Sequence, residues 1–453
     1  ESVRVRAGGI DNLKAKQDII IQLYEKFFKV AFKETTERLG IVFTPVEVVD
    51  FIICSVEEVL KKHFGKSISN EGVHILDPFA GTGTFIVRLL QSGLISKDEL
   101  LRKYMKELHA NEIVLLSYYI AAINIEETFH SIMGGDYKPF EGIVLTDTFE
   151  STEKEDSFEE ELFGENNERL EKQRKESIFA ILGNPPYSAR QTSGNDNNKN
   201  NSYPIIDEKI KNTYVKYSSV TNKNTLYDPL VRAFRWSTDR VGEKGVIGFV
   251  TNNSFIDAPT TSGIRKCFYE DFNYLYVINL RGSVRGRSGD DAKREGQSVF
   301  DILTGVAICL LVKDGSNKHE LKYFDIGDYL TRKNKLEKLA GLKSISNIEW
   351  SNIIPDKNND WINQRNEKYS EFISMDPEEN GYFEVKSLGV SSNRDVWVSG
   401  FSKNNVNDNV IRMVDNVNSE IDRLKNIGDK KEKISQLNSD PNFVSWSDGL
   451  RQV

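Results

Sequence analysis

The residues of this chain best suited to chemistry are Asn184-Pro185-Pro186-Tyr187, which follow the apolar run Ile178, Phe179, Ala180, Ile181, Leu182 and a glycine, Gly183. An apolar run of this length reads as a buried strand. Two consecutive prolines cannot continue a sheet's hydrogen bonds, so the chain must turn out at the strand's end. A side-chain amide, a stiffened backbone and an aromatic ring are thereby presented together. Open α/β sheets bind ligands there, beyond the carboxyl ends of their strands, and an amide has the donors and acceptor needed to hold an amino group. Such a site needs a partner that supplies reactivity.

Three carboxylates occupy the equivalent position on the preceding strands. Val73-His74-Ile75-Leu76 reads as a buried strand ending at Asp77, followed by Pro78-Phe79-Ala80-Gly81-Thr82-Gly83 and a helix with apolar periodicity from Ile86 to Leu90. The glycines let backbone approach a ligand, and the helix N-terminus favours negative charge. The phosphate-cradling pattern Gly-x-x-x-x-Gly-Lys-Ser/Thr is missing from the sequence. A second strand, Glu107 to Asn111, ends at Glu112 and enters a helix from Ile113 to Asn124. An ionised carboxylate at that strand end can accept from both hydroxyls of a ribose. A third strand, Gly142 to Thr146, ends at Asp147. One acid at a strand end is commonplace, whereas three in order at strand–helix intervals point to a ligand with several hydrogen-bond donors.

The elements that must position these residues alternate strand and helix from about Gly40 to Val312, the pattern of a doubly wound α/β domain. Before the first strand, Thr44 is placed to N-cap a helix with Pro45 at its first position and Glu47 three residues after the cap, running to about His63. Asn12 to Leu39 carries apolar residues at helical intervals. Glu150 to Glu176 holds 11 acidic and 5 basic residues and reads as a solvated insertion, while Gly194 to Asn201 is a polar loop. A further helix, Tyr227 to Trp236, and strands at Gly245–Val250, Tyr274–Leu280 and Gly305–Val312 complete the pattern. Beyond Asp325, Lys335 to Leu342 looks helical, Val396-Trp397-Val398 extended, and Val406 to Leu424 forms a long amphipathic stripe.

Composition narrows the function classes. No apolar stretch approaches the roughly 20 residues of a membrane helix, and the amino terminus lacks a signal-peptide pattern. Cys54, Cys267 and Cys309 are odd in number and set among apolar residues, as reduced core thiols of a cytoplasmic protein would be. The five histidines, among them His63, His74 and His109, show no ligand spacing, so no metal is expected. A net charge of −8 argues against a surface coated in phosphate contacts. Locally, Arg281, Arg285, Arg287, Lys293 and Arg294 outnumber Asp290 and Asp291, leaving room for nucleic acid. The first residue is not Met, and a longer parent protein is expected.

The ordered set Thr44-Pro45, Asp77 to Gly83, Glu112, Asp147 and Asn184-Pro185-Pro186-Tyr187 resembles the gamma-class S-adenosylmethionine-dependent methyltransferases that act on adenine N6 in DNA. The resemblance implies a Rossmann-like class I methyltransferase domain at 40–325, with mainly helical extensions at 1–39 and 326–453, the latter as the start of a target-recognition domain. It implies that Thr44 and Pro45 meet the methionine part of the cofactor, above Asp77, Pro78, Phe79, Ala80, Gly81 and Gly83. Glu112, beside Ile113, takes the ribose hydroxyls, and Asp147 the amino group of the cofactor's adenine. Asn184 and the Pro185 carbonyl hold the target amine of a flipped adenine. Tyr187, carried by Pro186, and Phe300 are the two walls for the base. The phrases Leu226 to Trp236 and Asn393 to Val398 are similar to single-chain Type I (Type ISP) restriction-modification enzymes, which implies double-stranded DNA as partner. It also implies nuclease, translocase and target-recognition domains on the same polypeptide. Arg281, Arg285 and Arg287 are the candidate phosphate contacts. Two alternatives stay open: a methyltransferase acting on a glutamine amide of translation release factors, and a non-catalytic DNA-binding specificity or scaffold subunit.

Overall fold

The computed structural model describes residues 44–150, 160–187, 203–220, 223–300, 302–364, 368, 371–376, 381–387, 395–425 and 443–444. They fall into two compact units, one carrying the sheet and running to Gln364, the other from Arg365 onward. The helix expected at Asn12–Leu39, the polar loop at Gly194–Asn201 and the first part of the acidic segment lie outside the described residues.

The first unit alternates α1 (Val46–Phe64), β1 (His74–Asp77), α2 (Thr84–Gln91), β2 (Leu108–Glu112), α3 (Leu115–Met133) and β3 (Ile143–Leu145). It continues with α4 (Glu160–Lys175), β4 (Ile178–Gly183), α5 (Pro229–Arg240), β5 (Gly245–Asn252), α6 (Ser262–Asp271), β6 (Tyr274–Arg281) and β7 (Val306–Lys313). β8 (Glu320–Asp325), α7 (Arg332–Leu342) and β9 (Ser351–Ile353) close it. The nine strands lie in the order β3-β2-β1-β4-β5-β7-β6-β8-β9. β3, β2, β1, β4 and β5 are parallel, and β7 inserts antiparallel between β5 and β6. This is the doubly wound α/β fold, and it brings the carboxyl ends of β1 to β5 to one edge.

Alternation along the strands sorts the core into two layers. Ile75, Ala180, Leu182, Val246 and Ile308 face one side and pack with α1, α2 and α3, while Leu76, Ile181, Ile247, Phe249 and Cys309 face the other and meet α5 and α6. Both faces are covered, so the central strands read as continuous apolar runs and their existence is legible without a period.

Three local expectations give way. Pro45, not Thr44, is the residue that caps α1, and the helix starts at Val46 without a side-chain cap; the Thr44 hydroxyl is engaged by Asn184 instead. β8 and β9 extend the sheet beyond β6, where charged residues such as Glu320 and Lys322 mask the strand pattern. In the second unit Asp395–Val398 is a short helical turn preceding α8 (Lys403–Lys425), although Val396-Trp397-Val398 favours extension by type. Trp397 is buried with the Arg412 guanidinium 5.1 Å from its ring centre, so packing overrides the local preference.

The described part of the acidic segment, α4, does more than meet solvent. Asn166 accepts from the Leu145 N–H (2.9 Å) and donates to the Leu145 carbonyl (3.0 Å), so one side chain pairs with the open edge of β3 as a neighbouring strand would.

Candidate active site

The turn after β1 is held by the two acids that flank it. Asp77 Oδ1 accepts from the Phe79 N–H (3.1 Å), and Glu112 Oε2 accepts from the Gly81 N–H (2.8 Å) while Oε1 accepts from Val114 (2.7 Å). Ala80 N–H donates to the Asn111 carbonyl at 2.9 Å. Gly81 and Gly83 sit at φ +56 and +82, in the left-handed region that favours glycine. A Cβ on Gly81 would meet no atom within 4 Å, whereas one on Gly83 would press Ala121 and Ile125 of α3 at 3.2 Å. The first glycine opens onto space and the second lets α3 close in.

Both carboxyls are buried. Burial pushes Asp77 up to about 8, against the Phe79 N–H and with help from the Glu112 charge; Asp77 Oδ2 finds no hydrogen-bond partner among the described residues. Burial likewise raises Glu112 to about 7, opposed by the N–H groups of Val114, Gly81 and Ile113. Ile113 beside it is 49% exposed, an apolar side chain left open at the mouth of the site. Asp147 Oδ1 accepts from Phe149 N–H (2.9 Å) and Oδ2 from the Tyr203 hydroxyl (2.7 Å). Sequence reasoning missed Tyr203, and also Thr148, which donates to the Pro78 carbonyl (2.6 Å), and Asn124, which donates to the Thr82 carbonyl (3.1 Å). Their partners lie 42 to 70 residues away, so no local pattern marks them.

β4 delivers Asn184-Pro185-Pro186-Tyr187 next to this turn. A Cβ on Gly183 would stand 3.0 Å from Asp77 Oδ1 and 3.7 Å from the Pro78 ring, so the bare backbone allows the close approach. Asn184 Nδ2 donates to Thr44 Oγ1 at 2.9 Å, which ties the start of α1 to the end of β4. Pro45 contributes its carbonyl to Val48 and Val49 of α1 (3.1 and 3.2 Å). The Tyr187 ring is half-buried, and its hydroxyl points inward, without a partner among the described residues, where burial raises its pKa well above the usual value.

Phe300 is buried and does reach Tyr187. The rings meet edge to face with centres 5.9 Å apart. Two parallel walls around a planar base need about 7 Å, twice a van der Waals contact. Tyr187 and Phe300 therefore touch one another rather than frame a slot.

The arginine loop is less positive than its sequence. Arg281, at φ +56, pairs with Asp325 and Asp328 (2.6 Å each), Arg287 with Glu295, and Arg294 with Asp328. Arg285 is exposed and makes no ion pair among the described residues. Histidines also meet where spacing gave no hint: the register of β1 and β2 sets His74 Nδ1 3.0 Å from His109 Nε2, at the opposite end of the strands from the acids. No cluster of three or more His, Cys, Asp or Glu that could hold a metal exists among the described residues, and no described helix is long and apolar enough to cross a membrane.

Comparison with known proteins bears on this geometry. The N-6 DNA Methylase family matches residues 15–280, and the Type ISP C-terminal specificity domain matches 381–453. Among solved structures, a nuclease-deletion mutant of the Type ISP restriction-modification enzyme LlaGI, in complex with a DNA substrate mimic, is 53% identical with a TM-score of 0.89. It is matched over 100% of this chain and 37% of that one. The ATP-dependent Type ISP enzyme LlaBIII bound to DNA is 49% identical (TM-score 0.87) over 100% of this chain and 31% of its own. The DrdV–DNA complex is 38% identical (TM-score 0.84), covering 92% of this chain and 42% of that one. The chain thus spans well under half the length of each. No curated protein matches it.

Proposed function

The chain belongs to the N-6 DNA methylase family, a DNA methyltransferase family, and from that premise we propose that it transfers a methyl group from S-adenosylmethionine to N6 of a flipped adenine. It does so as the modification part of a restriction-modification enzyme. The observation that carries this reading is the delivery of Asn184 by β4 to within a glycine's width of the Asp77 turn.

The residues present fit the cofactor. A buried carboxylate oxygen without a partner, Asp77 Oδ2, calls for a donor or a positive charge, and the space above Gly81 admits a ligand. When bound, S-adenosylmethionine supplies an electrophilic methyl on a sulfonium. Thr44 and Pro45 flank its methionine part, over Asp77 and the turn of Pro78, Phe79, Ala80, Gly81 and Gly83. Glu112 has lone pairs left for the ribose hydroxyls beside the apolar Ile113. Asp147 accepts the adenine amino group where the Tyr203 hydroxyl now donates.

Adenine N6 is a poor nucleophile because its lone pair is conjugated into the ring. Asn184 Oδ1 and the Pro185 carbonyl accept its two N–H groups, draw the nitrogen toward tetrahedral geometry and stabilise the positive charge that develops on attack. A duplex hides N6, so the base leaves the stack, and the Tyr187 ring, set by Pro186, offsets the lost stacking. Phe300 becomes the opposite wall once the two rings part.

Double-stranded DNA is the partner, with Arg285 as the phosphate contact that is free of ion pairing and Arg281 and Arg287 shaping its loop. Nuclease, translocase and target-recognition domains belong to the same polypeptide, acting in the cytoplasm where the three thiols stay reduced. A filter assay with labelled S-adenosylmethionine, offering unmethylated DNA and a translation release factor separately, tests the reading. Label on DNA is expected; label on the release factor, or on neither, overturns it.

A further inference from the structure

The position of Thr44 has two features that a helix cap does not explain. A threonine directly ahead of Pro45 has the type and place of an N-cap, yet α1 starts without a side-chain cap. Its hydroxyl instead reaches across 140 residues of sequence to Asn184, accepting from Nδ2 at 2.9 Å. Pro45 fixes the approach, because the proline ring locks its own φ (−58) and confines the residue before it to extended backbone.

We infer that Thr44 is a positioning residue for methyl transfer: its hydroxyl anchors the Asn184 amide through Nδ2 and so holds that side chain in place for the target amine. The inference rests on the function proposed above. The two ends of a primary amide have nearly the same shape and opposite chemistry, since the oxygen only accepts and the nitrogen only donates. An amino group approaching Asn184 needs the oxygen. With the nitrogen turned toward it, two donors would confront each other and the charge developing on the amine would lose its acceptor. With Nδ2 donating to the Thr44 oxygen, the amide nitrogen is held at the entrance to α1 and the end that accepts is the oxygen. The link also explains why a hydroxyl is present at the entrance to α1 when the helix does not use it.

This role differs in its readout from that of a residue that only holds the cofactor. Loss of a cofactor contact weakens cofactor binding and leaves the rate at saturation intact; loss of amide orientation lowers the rate with cofactor bound. Thr44→Val keeps the shape and deletes the hydroxyl, while Thr44→Ser keeps the hydroxyl and deletes a methyl. Cofactor affinity measured by calorimetry also reports whether each variant is folded. Single-turnover methyl transfer to unmethylated DNA, at saturating S-adenosylmethionine, is expected to slow at least tenfold in Thr44→Val while the cofactor Kd moves less than threefold. Thr44→Ser is expected within about threefold of the parent in both. A Thr44→Val rate within threefold of the parent, a loss confined to cofactor affinity, or an equal rate defect in Thr44→Ser would each overturn the inference. A parent chain that transfers no methyl to DNA overturns the proposed function instead, and the two failures are therefore distinguishable.

Discussion

Asp77 and Glu112 lie under the same turn, and burial raises both carboxyls, to about 8 and about 7. An acid whose folded pKa lies above its unfolded value keeps a proton that the unfolded chain has lost, so stability is highest below about pH 4 for these two groups and falls as pH rises toward 7 to 8. A cationic or hydrogen-bond-donating cofactor favours the ionised forms and must expel protons as it binds near pH 7. Calorimetry of S-adenosylmethionine binding in buffers of different ionisation enthalpy is predicted to show net proton release at pH 7, reduced in Asp77→Asn. A binding enthalpy independent of the buffer would contradict this. Asp77, Glu112 and Asp147 were legible as residue types at strand ends, and so was Asn184. The burial of Asp77 and Glu112 was not, nor was Tyr203 against Asp147, because both depend on which distant segment closes over the strand end.

Among the elements, the β1 turn into α2 shows how much local sequence can specify. Gly81 and Gly83 both take left-handed backbone, but only Gly83 is pressed against α3, with Ala121 and Ile125 at 3.2 Å from a would-be Cβ. Gly83→Ala combines backbone strain of about 1–3 kcal/mol with a forced shift of α3. It is predicted to lower the midpoint of thermal unfolding more than Gly81→Ala; the reverse order would contradict the packing described for α3. Strands buried on both faces announced themselves as apolar runs, whereas β8 and β9, at the edge and rich in charge, did not. The Thr44-Pro45 pattern was recognised but assigned to the wrong helix contact, because cap chemistry is local and the hydroxyl's partner is not. α4 looked solvated by composition, yet Asn166 fastens it to the edge of β3.

For the whole molecule, charge is the property that sequence counting misjudged most. A loop with a formal excess of base is largely neutralised by Asp325, Asp328 and Glu295, the two aspartates arriving on the segment after β7. Arg285 alone of the three candidates stands clear of ion pairs among the described residues. Arg285→Ala is predicted to weaken binding to all DNA sequences alike and to flatten the dependence of log affinity on log salt by about one unit. Arg281→Ala is predicted instead to lower thermal stability, because it empties a bridge between the end of β6 and the Asp325–Asp328 segment. An unchanged salt slope in Arg285→Ala would remove it as a phosphate contact. The family and the specificity match at 381–453 account for both ends of the described chain, each within its own unit.

The most direct test is the identity of the methylated product and its dependence on Asn184. Unmethylated DNA is incubated with labelled S-adenosylmethionine, digested to nucleosides and separated. Label is expected in N6-methyl-2′-deoxyadenosine alone, and Asn184→Ala is expected to lose at least about 2–4 kcal/mol of transition-state stabilisation, thirtyfold or more in rate. Label in methylated cytosine, or an Asn184→Ala rate within about tenfold of the parent, where the tenfold step is about 1.4 kcal/mol, would contradict it.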